Sequence, residues 1–208
     1  VLVMLNSPPG AGKDTFFNLA KNYFPKDHAK RFAFADPLWR GFRALNGLEY
    51  MTDAEFERHK REKTSTEKFA PWLYEAGITH IRPGLIDLAE KYMREKFGRH
   101  VFARIQANAI RSFLSTVEDK KANLACVTDL GFSEEYDDLL FKFKEATPIH
   151  LVYIQREGCD YSADSRGRVE NTNSYVKVWT IRNCGTGEYD LAVKDLLEKM
   201  YDSSYGKA

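Results

Sequence analysis

Short runs that are apolar throughout alternate along this chain with longer stretches whose apolar residues recur every three or four positions. Val1–Leu5 is the first such run; bounded by Asn6, Ser7 and Pro8, it predicts a buried strand. Phe16, Leu19, Ala20 and Tyr23 then fall at helical spacing within 13–24. Residues 31–35 alternate as a second strand. The Asp36-Pro37 pair after them is a helix start, with aspartate as N-cap and proline at the first helical position. A charged helix is expected over 52–68, striped helices over 83–97 and 100–116, a strand over 123–129 and a helix near 133–144. Strands over 149–156 and 176–181 and a closing amphipathic helix over 187–201 complete the pattern. Residues 157–174 are polar and irregular, which suits a mobile cover more than a domain boundary.

Strands that alternate with helices predict an α/β fold, a mainly parallel sheet covered on both faces, in one domain spanning 1–208. In such sheets ligands bind beyond the carboxyl ends of the strands. The chemically suggestive positions, 7–15, 36–43, 129 and 156, all fall at those ends.

Composition narrows the function classes. Lys plus Arg number 31 against 30 Asp plus Glu, so the basic excess of a nucleic-acid binder is missing. No apolar run is long enough to cross a membrane. Cys126, Cys159 and Cys184 are odd in number and widely spaced, which fits reduced thiols in a cytosolic protein, with neither a disulfide framework nor a zinc site. Val1–Leu5 is too short for a signal peptide and lacks a basic leader; without an initiating methionine, a few residues are expected to precede it.

The segment NSPPGAGKDTF, residues 6–16, joins the first strand to the first helix. Gly10 and Gly12 let the backbone turn inward, so that the loop's amides converge where the helix N-terminus is partly positive. Lys13 can then reach phosphate oxygens as a mobile point charge. The alternative is a Gly-Pro turn that merely precedes a lysine; strand, glycines, lysine and helix in this order favour phosphate binding. Two positions depart from G-x-x-x-x-G-K-[ST]: Ser7 stands at the first glycine, and Asp14 displaces the hydroxyl to Thr15.

The run P-P-G-A-G-K-x-T resembles the loop of nucleoside monophosphate kinases, and its G-K-D-T form resembles that of phage deoxynucleoside monophosphate kinases. FADPL (34–38), the helical region 81–105, VTDLGF (127–132), IQREG (154–158) and IRNCGT (181–186) are similar to further segments of that family, in the same order. The family often carries an arginine where this chain has Gly131, and a histidine within the segment that here reads DSRGRVE (164–170). The resemblance implies a P-loop three-layer α/β/α kinase with a helical acceptor-binding region near 36–116 and a lid-like segment at 156–175. It implies ATP and Mg²⁺ as cofactors, nucleotide substrates, and a cytoplasmic location, the host cytoplasm if the chain is phage-encoded. A nucleic acid or membrane partner is not implied, and a homodimer is left open.

Roles follow from that resemblance and from the chemistry of phosphoryl transfer, which needs charge neutralisation and alignment. Pro9, Gly10, Ala11, Gly12, Lys13, Asp14 and Thr15 would hold the nucleotide phosphates, with Asn183 and Gly185 against the adenine. Thr15 and Asp129 would hold Mg²⁺ through water; Asp129 as a cap of the next helix is the alternative, although Ser133 could serve there. Asp36, Arg40, Arg43 and Arg82 would bind the acceptor, with Arg82 gripping its phosphate by paired bonds. Solvated arginines are the commoner explanation of such residues. Trp72, like Trp39 and Tyr74, would stack an acceptor base or pack in a core. Arg156, Arg166 and Arg168 are candidates for a lid over the donor, Arg156 first because it leaves a strand end. Asp14 suits the helix dipole; it could face the acceptor or a metal-bound water. A kinase of another phosphorylated metabolite and a non-catalytic nucleotide-binding switch are the rival readings.

Overall fold

A computed structural model of the chain describes residues 1–115, 123–162, 166–185 and 187–206. Residue 116 of the second striped helix, residues 163–165 of the polar segment and Thr186 of the late turn lie outside the described residues. Two compact units emerge, Val1–Phe34 with Ala103–Ala208, and Ala35–Phe102.

The first unit contains β1 (Leu2–Leu5), α1 (Lys13–Ala20) and β2 (Ala29–Phe32). The five strands run in the order β2-β3-β1-β4-β5, with β3 at Leu124–Val127, β4 at Ile149–Gln155 and β5 at Val176–Arg182. Every pairing is parallel. The fold is therefore a mixed α/β fold whose parallel five-stranded sheet is flanked by helices. β1 is central and fully buried, which is why its sequence is apolar without alternation. Val1, Val3 and Leu5 join one core with Phe16 and Ala20 of α1, and with Val193, Leu196 and Met200 of the helix Glu188–Tyr205. Leu2 and Met4 turn to the opposite face by strand alternation. The expected strand 31–35 begins earlier, at Ala29, and residues 33–34 already lead away from the sheet.

Ser133–Phe143 joins β3 to β4 and buries Tyr136, Leu139, Leu140 and Phe143. The link from β4 to β5, residues 156–175, contains no helix or strand among its described residues. From Arg166 to Asn173 this crossover is nonetheless tied down. Tyr153 Oη donates to Val169 O at 2.6 Å, Tyr136 Oη donates to Asn171 Oδ1, and Val169 is buried. The guanidinium of Arg168 lies 4.3 Å above the Tyr153 ring. The polar residues that suggested a mobile cover are thus the ones that hold this part of the crossover in place.

At the opposite, amino-terminal end of β4, His150 is fully buried. Trp179 Nε1 can only donate, and it lies 2.9 Å from His150 Nδ1, so Nε2 carries the ring proton and donates to Ser204 Oγ at 2.8 Å. Burial lowers the His150 pKa to about 4, with Lys177 nearby acting in the same direction. A histidine held neutral in the fold contributes stability above its unfolded value near 6.5 and loses it as pH falls towards 4. The loss expected across that window is about 3 kcal/mol. Melting temperatures between pH 4 and 7 check this, and a flat profile would contradict it.

The second unit is helical: α2 (Ala35–Leu45), α3 (Asp53–Arg61), α4 (Pro71–Glu75) and a continuous helix from Ile81 to Phe97 whose Leu88–Arg94 stretch is π-helical. Phe42, Leu48, Phe56, Leu73, Ile81 and Leu85 form its core. Asp36 falls in the first turn of α2 and not at its N-cap, since the helix already includes Ala35. The expected helix 52–68 ends at Arg61, where Lys63 adopts a positive φ of 51°. Its start is capped by Thr52, whose Oγ1 accepts from Glu55 N at 3.2 Å, while Glu55 Oε2 accepts from Thr52 N at 2.9 Å.

Candidate functional site

The parallel order sends the chain from β1 leftwards to β2 and from β4 rightwards to β5. The carboxyl ends of β1 and β4 are therefore the place where a doubly wound sheet opens a crevice. The loop Asn6–Gly12 leaves β1 there, and Arg156 leaves β4.

The loop is built by its carbonyls. Arg156 Nη1 donates to Gly10 O at 3.0 Å, Asn183 Nδ2 to Ala11 O at 2.9 Å and Tyr189 Oη to Gly12 O at 3.2 Å. Lys13 Nζ donates to Ser7 O and, at 2.8 Å, to Pro8 O. Gly10 (φ 77°) and Gly12 (φ 104°) make the left-handed turns this path requires. Gly12 is the N-cap of α1, and no side chain caps that helix. A partly positive helix end behind a loop whose carbonyls are taken up elsewhere is suited to an anion.

Ser7 explains its own departure from the glycine pattern. It is buried, and its Oγ accepts from Ile154 N at 2.6 Å, so the hydroxyl continues the ladder beyond the last strand residue. A glycine here would leave that buried amide without its acceptor, a cost of about 1–3 kcal/mol. Asp14 also finds its neighbour: its carboxylate lies 3.8 Å from Arg31 Nη1, which donates to Thr128 Oγ1 at 3.0 Å. With Asp14 largely exposed, that pair is worth at most about 1 kcal/mol. Thr15 is exposed in the first turn of α1.

Asp129 stands just beyond β3, half-buried, and its Oδ1 accepts from Phe34 N at 2.8 Å. The start of Ser133–Phe143 is capped by Glu135, with Oε2 accepting from Gly131 N and Phe132 N, each at 3.3 Å. Ser133 makes no cap, being the first helical residue. Among the described residues no group of three His, Cys, Asp or Glu side chains could hold a metal ion.

Two adjoining hollows open beside the loop. One, about 600 Å³, is lined by Gln155, Arg156, Glu157, Arg182, Asn183 and Cys184. The other, about 380 Å³, is lined by Thr15, Leu19, Arg156, Asn183, Tyr189 and Asp190. Arg156 and Asn183 are common to both. Gly185 lies in both as well, and its N–H donates to Asn183 Oδ1 at 3.2 Å.

In the helical unit, Arg82 borders a hollow of about 240 Å³ with Lys60, Lys63, His80, Pro83 and Ile86. Arg40 is exposed, Asp36 half-buried, and Trp72 exposed with its Nε1 donating to Asn46 O at 3.1 Å. Arg43 is engaged structurally. Its Nη2 lies 2.7 Å from Asp53 Oδ1, its Nη1 donates to Met51 O at 3.0 Å, and its guanidinium covers Phe56. Trp39 packs 6.0 Å from Phe56 beneath Lys60, whose Nζ is 3.7 Å from its ring.

Asn6, Arg31 and Tyr189 are site residues that patterning does not single out. A tyrosine opening an amphipathic helix reads as core, and Tyr189 is indeed buried, which pushes its phenol pKa well up. Arg31 follows Lys30 in the four-residue β2, where two adjacent cations give no sign which of them turns towards the loop. Cys126 is buried at the centre of the sheet, and burial likewise raises its thiol pKa, so it packs without reacting. No helix among the described residues is long and apolar enough to cross a membrane. The chain matches no family model, and none of the curated proteins matches it.

Proposed function

We propose that this chain is a P-loop kinase that transfers the γ-phosphate of ATP to a (deoxy)nucleoside monophosphate. The observation that carries this reading is the loop: five carbonyls drawn onto donors, two left-handed glycines, and an uncapped helix end beside Lys13. On this reading Lys13 exchanges its carbonyl partners for phosphate oxygens when ATP binds. Arg156, already at the loop, turns towards the same phosphates. The base occupies the hollows around Asn183 and Gly185.

Asp129 and Thr15 offer hard oxygen donors suited to Mg²⁺. With no acidic cluster beside them among the described residues, that ion would owe most of its ligands to the nucleotide and water. Mg²⁺ would neutralise charge on the β- and γ-phosphates. The acceptor's phosphate oxygen attacks the γ-phosphorus in line as the bond to ADP breaks, so no strong general base is needed. The cations around Arg82 support an acidic acceptor in the helical region, with Arg40, Asp36 and Trp72 as further contacts; Arg43 is left out because Asp53 and Met51 hold it.

A coupled ADP-release assay over the common nucleoside monophosphates tests the proposal. ADP release stimulated by deoxynucleoside monophosphates is the expected result. Stimulation by other phosphorylated metabolites alone would transfer the reading to a different kinase, and ATP binding with no stimulated turnover would indicate a switch. Arg82→Ala should raise the acceptor KM or lower kcat by about tenfold or more, as expected for loss of a charge-assisted bond, with ATP affinity unchanged. A fall in ATP affinity alone would assign Arg82 to the donor side.

A further inference from the structure

The sheet ends in two edge strands that are guarded differently. β2 is four residues long and carries Lys30 and Arg31 side by side, the shortness and charge that keep an edge from pairing. β5 is seven residues long, without proline or glycine, and its register against β4 is unbroken from Val176 to Arg182. Lys177, its one lysine, is turned to other use: its ammonium donates to Ser203 O in the last turn of the helix Glu188–Tyr205. Val178 stands 45% exposed, and Tyr175 just before the strand 67%.

Alternation fixes which backbone groups face outwards. Asn183 N donates to Gln155 O at 2.8 Å, so the odd-numbered residues of β5 turn their N–H and C=O towards β4. Val176, Val178, Thr180 and Arg182 turn theirs away. Val176 is already served, its N–H donating to Asn173 O at 3.2 Å and its C=O accepting from Asn171 Nδ2 at 3.4 Å. Among the described residues no strand lies on the outer side of β5. The open groups are therefore those of Val178, Thr180 and Arg182, a set symmetric about Thr180.

That symmetry points to the occupant. An antiparallel copy of the same strand, related by a two-fold axis through Thr180, sets Thr180 against the second copy's Thr180 and Val178 against the second copy's Arg182. Every open N–H and C=O of the set then gains a partner. Like charges do not meet. Arg182 faces a valine along which its stem can lie, and Lys177 falls opposite the second copy's Asn183. On the other face Trp179 comes beside the second copy's Ile181. A strand from a foreign protein would use the same backbone groups, but nothing in β5 specifies its side chains. We infer that β5 is a dimerisation edge, which joins two copies of this chain by antiparallel pairing centred on Thr180. The inference does not depend on the kinase reading.

Sedimentation equilibrium of the unaltered chain, Thr180→Pro and Val178→Lys, from about 1 µM to about 1 mM, tests it. The unaltered chain should dimerise reversibly within that range. Proline at position 180 removes only an outward N–H, which an edge strand tolerates, so the monomer should keep its fold while the dimer weakens by about tenfold or more. Lysine at position 178 places a charge on the open edge and should act in the same direction. Circular dichroism and melting of dilute samples should match the unaltered chain for both variants. A chain that stays monomeric at the highest concentration, or a dimer that neither substitution weakens, would overturn the inference. Val178→Lys carries the comparison if Thr180→Pro does not fold.

Discussion

Lys13→Ala is expected to slow phosphoryl transfer by about a thousandfold, with only a small change in stability. Without ligand the ammonium is a half-buried donor to Ser7 O and Pro8 O at the rim of the loop. Water can replace it at both carbonyls, so the cost to folding is about 1 kcal/mol, or about 2–4 °C in melting temperature for a chain of this size. On the proposed kinase reading nothing replaces it in the transition state, because charge on the transferring phosphoryl group must be met by a cation already in position. Single-turnover transfer and thermal melting, measured on the same preparation, check both halves. Near-normal turnover would remove the loop from the site; a collapse in melting temperature would make Lys13 structural.

Gly12→Ala should abolish productive ATP binding, by about a hundredfold or more, and destabilise the chain as well. Alanine at φ 104° costs about 1–2 kcal/mol in backbone strain. Its Cβ would also collide with Asn183 Nδ2 and touch Tyr189 Cε1 at 3.6 Å, displacing the side chains that fix Ala11 O and Gly12 O. Losing those two bonds adds about 1–3 kcal/mol and frees the loop from the shape that points its amides inward. Gly10 offers the contrast. A Cβ there meets only Cys159 Sγ, at 3.5 Å, an ordinary contact, so Gly10→Ala should suffer the backbone strain alone. Nucleotide titration and melting of the two variants check the ranking, and equal losses would contradict it.

Much of this architecture is written in local pattern. β1 and β4 stand where apolar runs predicted them, since a buried parallel strand has to be apolar on both faces, whereas β5 at the edge of the sheet buries only Val176 and Ile181. The boundary errors arose where one signal hid another. The alternation at 31–35 was read as a strand although residue 35 already belongs to α2, and the charged run to Lys68 masked the break at Lys63. The short helix Pro71–Glu75 was missed for want of enough residues to show a period.

The loop's own geometry was legible where it lies within a few residues of sequence, as in the left-handed Gly10 and Gly12 and the helix start at Lys13. It was not legible where it depends on distant partners. Ser7 looked like a lost glycine until Ile154 supplied its bond, and Gly131 looked like a lost arginine until Arg166 was found lying across it. Arg43 and Arg40 were indistinguishable as an i,i+3 pair; only the fold shows Arg43 held by Asp53 and Met51.

The central place of β1 has a consequence for the order in which the molecule can assemble during synthesis. Its neighbours in the sheet are residues 124–127 and 149–155, so this early apolar strand waits for most of the chain to be made before either edge is paired. The following turn waits longer still. Ser7 needs the amide of Ile154, Asn6 needs Gly167 and Val169, and Ala11 and Gly12 need Asn183 and Tyr189. Residues 6–12 thus take their folded shape only once residues up to 189 have been made, and a nascent chain halted before residue 189 would carry the whole 6–16 segment without its finished form.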